Sequence, residues 1–258
     1  MSEEVVGGWH AVLALLEQAP ERVLDLWIDR ARKGERREQL LKAAKIAGIK
    51  VQEATSESLD TRLGSDRHQG VVARCRAAAE RSEADLPEFL EGLKHAPLLL
   101  ILDGVQDPHN LGACLRSADA AGVHAVILPR DNAAPLTPVV RKVASGAAET
   151  VPVFRVTNLA RVMDTLKAAG VWLVGAAGEG EKLIYDVDLH GPVALVLGAE
   201  EKGMRRLTRD KCDFLARIPM AGAVESLNVS VATGICLFEA VRQRSAGTIT
   251  TVRGREVK

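Results

Sequence analysis

The sequence predicts an α/β protein whose larger sheet is parallel and carries helices on both faces. From residue 97 onward, short apolar runs alternate with segments of helical periodicity, which is the pattern of β-α-β units. The runs are almost continuously apolar, as is typical of strands that are buried on both faces. With 258 residues and 47% hydrophobic content, the chain is long and apolar enough to bury a packed core.

A smaller α/β unit is predicted before it, over residues 7–75. Its elements follow the order helix 8–18, strand 23–29, helix 34–46, strand 49–53, helix 56–63 and strand 70–75. Between Arg30 and Lys50, eight basic residues stand against two acidic ones. Such a cluster can follow a phosphate backbone, and the candidate contacts are Arg30, Arg32, Lys33, Arg36 and Arg37. A solvated helix face with i to i+4 ion pairs is the alternative.

Residues 77–96 differ from both units, because acidic residues are frequent there and a proline stands in the middle. This composition predicts a polar linker with some helix. The larger unit then follows the order strand 98–102, helix 111–121, strand 123–128, helix 138–147, strand 151–154, helix 159–169 and strand 171–176. The predicted divisions are 1–76, 77–96 and 97–245, followed by a basic tail at 246–258.

Composition restricts the class of protein. Aromatic residues make up only 3% of the chain, so a surface of stacked rings for single-stranded RNA is not expected. The formal net charge is zero, so a nucleic-acid surface has to come from an uneven distribution of charge. The amino terminus is acidic and no apolar run approaches about 18 residues, so we expect a cytoplasmic protein without signal peptide or membrane span. Four widely spaced cysteines predict free, mostly buried thiols and no metal cluster.

Two further strands end in glycine-bearing loops that indicate a ligand site. The apolar residues 192–197 stop at Gly198, and residues 213–218 stop at a Pro-Met-Ala-Gly sequence. A helix of small and apolar residues, 229–241, follows directly behind Ser226 and Asn228. Because ligands of parallel sheets bind at the carboxyl ends of the strands, this stretch predicts a cofactor pocket.

A strand-to-helix turn near the start of the larger unit supplies further polar candidates. Asp107 and Pro108 fit a helix start, and Asn110 and Arg116 lie on the helix that follows. Their separation is about 1.7 helical turns, so the two side chains point in roughly opposite directions on an ideal helix. Spacing alone therefore does not predict a shared site.

Three ordered motifs resemble those of the SpoU (TrmH) class of RNA 2′-O-ribose methyltransferases. They are N-L-G-A-C-L-R at 110–116, L-G-A-E-E-K-G at 197–203, and I-P-M at 218–220 with S-L-N-V-S-V-A at 226–232. The resemblance covers residues 97–244, and three motifs in the right order are a much stronger signal than one glycine pattern. The basic unit before them resembles the L30e-like RNA-binding domain that many members carry.

This resemblance implies a particular fold, cofactor and assembly. The fold is a SPOUT-type parallel sheet whose carboxyl-terminal segment forms a trefoil knot, although connections in most proteins are unknotted. Members bind S-adenosylmethionine largely through backbone groups of the knot loops, and the matching positions here are Gly198, Ile218, Met220 and Leu227. Members also form homodimers that complete the catalytic pocket.

The three motifs do not choose the RNA, but together with the L30e-like domain the resemblance implies methylation of a guanosine ribose 2′-hydroxyl in 23S rRNA, in the peptidyl-transferase region. Arg116 matches the residue that acts on that hydroxyl, and because arginine stays protonated in proteins, we expect it to stabilise the developing alkoxide. Glu200, Ser226 and Asn228 match residues that position the substrate or the pocket loops, and Asn110 matches the residue that supports Arg116. A tRNA 2′-O-methyltransferase and a non-catalytic RNA-binding ribosome-assembly factor are the alternatives.

Each candidate also has an ordinary structural explanation. Asn110 and Asn228 are suitable helix caps, and Glu200 is suitable for a turn. Arg116 could pair with an aspartate three residues later on the helix surface, and whether Arg116 itself accepts a proton stays open. His109 follows a proline and is interpreted as a turn residue without a catalytic role.

Overall fold

The structure, a computed structural model, describes residues 3–76, 81–199 and 202–245. Within these ranges the chain forms two sheets. We call the part around the four-stranded sheet the amino-terminal unit and the part around the seven-stranded sheet the carboxyl-terminal unit. Across the same ranges there is no helix with both the length and the apolar character needed to cross a membrane. The basic tail at 246–258 and the candidate Glu200 lie outside the described residues.

The amino-terminal unit packs three helices on a mixed sheet. Its strands are β1 (Glu3–Gly7), β2 (Val23–Asp29), β3 (Val51–Ala54) and β4 (Val71–Arg76). Its helices are α1 (Trp9–Gln18), α2 (Glu35–Ile46) and α3 (Ser56–Leu63). In the order β1-β4-β2-β3, β4 runs antiparallel to both of its neighbours, whereas β2 and β3 are parallel. The main core joins α1 and α2 to the sheet, and its fully buried side chains include Val12, Leu15, Leu26 and Leu40.

The carboxyl-terminal unit is a parallel sheet between two helical layers. Its strands are β5 (Leu98–Asp103), β6 (Ala125–Pro129), β7 (Val153–Val156), β8 (Trp172–Ala176), β9 (Lys182–Leu183), β10 (Val193–Gly198) and β11 (Phe214–Arg217). Its helices are α4 (Leu86–Glu91), α5 (Pro108–Ala120), α6 (Pro138–Ala144), α7 (Ala147–Thr150), α8 (Leu159–Ala168), α9 (Arg206–Lys211) and α10 (Val229–Arg244). The strand order is β7-β6-β5-β10-β8-β11-β9, and each pair of these described strands is parallel. The predicted parallel α/β fold is confirmed.

Alternate residues of the central strand β5 show how both faces of the sheet are covered. Leu98, Leu100 and Leu102 pack into the layer that contains α5, α6, α7 and α10. Leu99 and Ile101 pack into the opposite layer, with α4 and α8. All five side chains are buried, which explains the unbroken apolar run in the sequence.

Four elements differ from the sequence predictions. Residues 3–7 form the edge strand β1, which was not predicted because two of its five residues are glutamates and interrupt the apolar pattern of a strand. The helix predicted at 138–147 is two helices, because Ser145 and Gly146 adopt positive φ angles of 53° and 99°. The two-residue strand β9 and the six-residue helix α9 are too short to give a periodic signal.

Part of the segment expected to be a linker packs on the carboxyl-terminal sheet. The backbone N–H of Arg155 donates to the carbonyl of Arg81 at 2.8 Å, and Leu86 of α4 is fully buried in the core. The carboxylate of Glu83 accepts a hydrogen bond from the backbone N–H of Thr157 at 2.8 Å, which holds the pKa of that carboxyl below its ordinary value. These contacts cover the edge of the sheet beside β7.

The last residue of α10 fastens this helix to the beginning of the sheet. The Arg244 guanidinium donates to the carbonyls of Ala96 at 3.1 Å and Pro97 at 2.9 Å, directly before β5. It also donates to the carbonyls of Leu189 and Gly191, directly before β10. A cation at the carboxyl end of a helix is also favourable for the helix dipole. Helix α10 therefore ends at the amino ends of the two central strands.

The four cysteines are free, with Cys75, Cys114 and Cys236 buried and Cys212 half-buried. Burial raises the pKa of the Cys75, Cys212 and Cys236 thiols to about 12. These three thiols therefore stay protonated at neutral pH, as expected of structural cysteines.

A network of four ionised side chains joins the two units. Glu4 of β1 and Arg22, directly before β2, meet Arg141 of α6 and Glu149 of α7. Arg22 pairs with each carboxylate at 2.8 Å, and Arg141 pairs with Glu4 at 3.0 Å and also with Glu149. The Glu149 side chain is only 1% exposed, so its negative charge depends on these two arginines.

Replacing Glu149 by alanine is expected to lower the thermal stability of the protein. Each of the two arginines still pairs with Glu4 in this variant. The decrease in the free energy of unfolding should therefore lie near the lower end of the roughly 3–5 kcal/mol that breaking a buried ion pair costs. Scanning calorimetry measures the change. The matched control is Glu53→Ala, since Glu53 pairs with Arg37 at 2.6 Å but is 60% exposed, and exposed pairs contribute about 0–1 kcal/mol. Equal melting temperatures for the two variants would contradict a structural role for the network.

Candidate functional site

Among the described residues, two cavities lie at the carboxyl ends of the parallel strands, and the larger has a volume of about 650 Å³. Its walls come from the loops that follow β8 and β11 and from the segment that precedes α10. Four residues that the sequence predicted for the site line this cavity, namely Ile218, Met220, Ser226 and Leu227. The structure therefore brings together the two parts of the third motif, 218–220 and 226–232.

The last residue of β8 and the loop after it contribute three wall residues that the sequence analysis missed, Ala176, Ala177 and Gly178. A signal was present, because small residues and a glycine follow an apolar run here as they do at Gly198. The sequence pattern does not reveal, however, that β8 lies next to β11 in the sheet. Because β8 and β11 are adjacent in the sheet, the loops that follow them surround one cavity.

Gly198 has a steric role in the turn that follows β10 and lies outside the wall of the larger cavity. A Cβ atom at Gly198 would lie 2.0 Å from the carbonyl carbon of Gly203 and 2.1 Å from the nitrogen of Met204. Ala199 and Gly203 close the turn with two backbone hydrogen bonds, at 3.1 and 2.8 Å. The cofactor contact expected for Gly198 stays a prediction.

A second cavity, of about 400 Å³, lies at the ends of β5 and β10 and is lined by Asn110. The Asn228 side-chain N–H donates to Asn110 Oδ1 at 3.0 Å. Asn228 stands between Leu227, which lines the larger cavity, and Val229, which lines the smaller one. The Asn110–Asn228 hydrogen bond therefore marks the place where the two cavities adjoin.

The two asparagines differ in their role at the helix ends. Asn228 is the N-cap of α10, because its Oδ1 accepts from the backbone N–H of Ser230 at 2.9 Å. Helix α5 is capped instead by Asp107, which accepts from the backbone N–H groups of His109 at 3.1 Å and Asn110 at 3.3 Å. The cap explanation is thus confirmed for Asn228 and wrong for Asn110.

An ion pair between a buried carboxylate and an exposed guanidinium supports the wall of the smaller cavity. The Asp103 side chain is fully buried at the end of β5, and the Arg205 guanidinium contacts its Oδ1 at 2.6 and 2.7 Å. The backbone N–H of Arg205 donates to the other carboxylate oxygen at 2.9 Å. Asp103 therefore holds the chain directly after the Gly203 turn against the strand that leads to Asn110.

Arg116 is exposed on α5 and lines neither cavity of its own chain. Its side chain takes no part in the hydrogen bonds and ion pairs of the described residues. The alternative partner, Asp119, accepts a hydrogen bond from the Thr150 hydroxyl at 2.5 Å. The structure of one copy therefore does not bring Arg116 together with Asn110 and Asn228.

The basic candidates of the amino-terminal unit fall into different surroundings. Arg32, Lys33 and Arg36 share a surface cavity of about 390 Å³ beside α2. Arg37 lines it too, but it is half-buried and pairs with Glu53 at 2.6 Å. Arg30 lies outside that cavity. Arg32, Lys33 and Arg36 are exposed, whereas Arg37 is engaged in an ion pair, and both RNA binding and the solvated helix face stay predictions.

The family of the chain is established by two matches. The model described as SpoU rRNA Methylase family matches residues 97–238, which is more than half of the chain. The model described as RNA 2'-O ribose methyltransferase substrate binding matches residues 5–81. The chain belongs to the SpoU rRNA methylase family.

Individual relatives are similar over nearly the whole chain. The 23S rRNA (guanosine-2'-O-)-methyltransferase RlmB of Shewanella oneidensis is 57% identical over 242 residues, which are 94% of this chain and 98% of that protein. The protein of the same name from Escherichia coli K12 is 55% identical over 242 residues, 94% and 99% of the two chains. The solved structure of the SpoU methyltransferase AviRb from Streptomyces viridochromogenes with the cofactor AdoMet has a TM-score of 0.76 at 28% identity, covering 95% and 92%.

Replacing Gly198 by alanine is expected to destabilise the carboxyl-terminal unit. The added methyl group would overlap backbone atoms of Gly203 and Met204, and overpacking of this kind costs about 1–3 kcal/mol or more. Thermal melting measures the effect. Gly191→Ala is the matched control, because a Cβ at Gly191 meets no atom within 4 Å. A melting temperature of Gly198→Ala equal to that of the control would contradict the tight turn.

Proposed function

We propose that this protein is an S-adenosylmethionine-dependent enzyme that methylates the ribose 2′-hydroxyl of a guanosine in 23S rRNA. The observation that carries the proposal is the pair of cavities that adjoin at the Asn110–Asn228 hydrogen bond. Such a pair suits a cofactor on one side and an acceptor nucleotide on the other. The relatives named for this activity match both units at 55% and 57% identity, which supports 23S rRNA as the substrate. A target in the peptidyl-transferase region rests on the sequence resemblance.

The residues of the larger cavity fit S-adenosylmethionine. Its volume of about 650 Å³ lies within the roughly 300–1,000 Å³ of small-molecule sites. A Cβ at Gly178 or Gly222 would meet no atom within 4 Å, so a ligand can approach the backbone closely there. Met220 is 37% exposed and lines the cavity together with Ile218 and Leu227, which gives an apolar surface for a purine ring.

The chemistry divides between the cofactor and the protein. When bound, S-adenosylmethionine supplies an electrophilic methyl group on sulfur. The side chains of the protein have to align the ribose and stabilise charge on its 2′ oxygen as the proton leaves. Asn110 and Asn228 hold each other at the boundary of the two cavities, where the ribose has to lie. The Arg116 guanidinium supplies the positive charge that stabilises the alkoxide.

A homodimer explains how Arg116 reaches a site from which it is remote in one copy. Val231 and Phe238 of α10, seven positions apart, are 50% and 49% exposed. That spacing places both on one helix face, which is an apolar surface suited to a second copy of the chain. Helix α10 packs on α5, the helix of Arg116, with Cys114 Sγ 3.4 Å from Thr233 Oγ1. A symmetric contact through these helices brings Arg116 of one copy to the cavities of the other.

Sedimentation at micromolar concentration is expected to give about twice the 27.7 kDa of one chain. The double variant Val231→Asp, Phe238→Asp is expected to be monomeric, because burying two carboxylates in an apolar contact is strongly unfavourable. Leu207→Asp is the control, since Leu207 is 59% exposed on α9. A monomeric wild type with full activity would overturn the proposed assembly.

Arg116→Lys is expected to lower turnover on the order of a hundredfold or more, because lysine keeps the charge but loses the planar fork. Affinity for S-adenosylmethionine should hardly change, since Arg116 is absent from the wall of the larger cavity. The experiment measures methyl incorporation into unmodified 23S rRNA and into tRNA, and it maps the modified position. Calorimetry measures cofactor binding by the same variant. Arg161→Lys is the control, because Arg161 is 67% exposed and pairs with Glu83.

The outcomes of this experiment separate the possible functions. Normal turnover of Arg116→Lys would show that Arg116 has no part in the mechanism. Methylation of tRNA but not of 23S rRNA would show that tRNA is the substrate. RNA binding by the wild type without incorporation would indicate a non-catalytic factor. Mixed dimers of Arg116→Ala with Leu227→Arg, which fills the cofactor cavity, should regain activity at one of their two sites if Arg116 acts across the dimer.

We also propose the finer features of the fold and its division. The position of β10 between β5 and β8, together with the return of α10 onto α5, supports a trefoil knot in the carboxyl-terminal unit. The mixed sheet with three helices supports an L30e-like domain at 1–76. The proposed division continues with a joining segment at 77–96, the methyltransferase domain at 97–245 and the basic tail. A cytoplasmic location stays a prediction.

A further inference from the structure

A cleft of about 490 Å³ lies at the seam between the two units. From the amino-terminal unit, its lining includes Arg32 and Arg67. From the carboxyl-terminal unit, its lining includes Arg141 and Lys142 of α6. The cleft continues into the cavity beside α2, because Trp9, Arg32 and Gln69 line both. The result is one continuous depression, which we call the seam groove.

The seam groove is electropositive. Its basic lining residues are Arg32, Lys33, Arg36, Arg37, Arg67, Arg141 and Lys142. Its acidic lining residues are Asp29, Glu35 and Asp66. Arg37 and Arg141 are neutralised by ion pairs with glutamates. In the described part of the chain, the other five basic side chains take no part in ion pairs, so their charge is available to an anionic partner.

Two features fix the groove in shape. The buried Glu149 and its two arginine partners tie α6 and α7 to the amino-terminal unit directly beside the groove. Gly146, directly before α7, lets the chain approach α1 closely, because a Cβ there would lie 3.1 Å from the carbonyl oxygen of His10 and 3.2 Å from the Cβ of Ala14. Arg32 is placed in a similar way, since its aliphatic part lies over Gly70. Cations on both sides of the seam are thus held at fixed relative positions.

We propose that the seam groove binds the phosphate backbone of the RNA substrate across both units, with Arg67 and Lys142 as contacts on its two sides. The inference rests on the proposed function. A backbone that passes from Arg36 over Arg32 and Arg67 to Lys142 crosses from the amino-terminal unit onto α6. Helix α6 packs tightly on α5, where Gly112 lies against Val143. The groove therefore leads the RNA toward the helix that carries Asn110 and Arg116.

The test is the salt dependence of binding to unmodified 23S rRNA made by transcription in vitro. Each lost phosphate contact reduces the slope of log affinity against log salt by about one. Arg67→Ala and Lys142→Ala are each expected to reduce the slope by about one, and the double variant by about two. Lys94→Ala is the control, because it removes an exposed charge outside the groove and should leave the slope unchanged.

Turnover at saturating RNA separates this proposal from the proposed function. The double variant should raise the Michaelis constant for the RNA far more than it lowers turnover at saturation, since neither residue lines the two cavities of the site. A double variant whose salt slope equals that of the wild type overturns the RNA path across the seam. A wild type that binds the RNA with the expected slopes but transfers no methyl group contradicts the proposed function and leaves the groove supported.

Discussion

The packing of α10 against α5 is the contact on which the carboxyl-terminal unit depends. At one end Asn228 caps α10 and donates to Asn110, and at the other end Arg244 binds carbonyls directly before β5. The same contact closes one face of the core and forms the boundary between the two cavities. Because α5 also carries Arg116, any displacement of α10 changes core packing and site geometry together.

Local patterns predicted the parts of the molecule whose structure is determined locally. The apolar run at β5 is unbroken because alternate residues, such as Leu100 and Ile101, enter the cores on opposite faces. Small residues and glycine after β10 and β11 indicated a site at the strand ends, and Ile218 and Leu227 line a cavity there. The motifs added the cofactor and the reaction, which no periodicity could supply.

Contacts between distant parts of the sequence set the limit of that prediction. Asn110 and Asn228 are 118 positions apart, and Arg141 and Glu4 lie in different units, so no local spacing reveals either pair. Local patterns do not reveal the strand order either, and the strand order is what places the loop at Gly178 in the cavity wall. Gly198 is a further case, because its motif position suggested a ligand contact, which stays a prediction, and only the structure reveals how closely Gly203 packs against it.

The place of β10 in the sheet has a consequence for how the chain folds. Strand β10 pairs with β5 through Leu98 and Val193 and with β8 through Trp172 and Val193, so the centre of the sheet is filled only after both partner strands have been made. Until residues 193–198 have emerged from the ribosome, the facing edges of β5 and β8 have no partner and are open to mispairing. Contacts of such long sequence separation also form slowly. Slow completion of this sheet therefore follows from strand order, independently of composition.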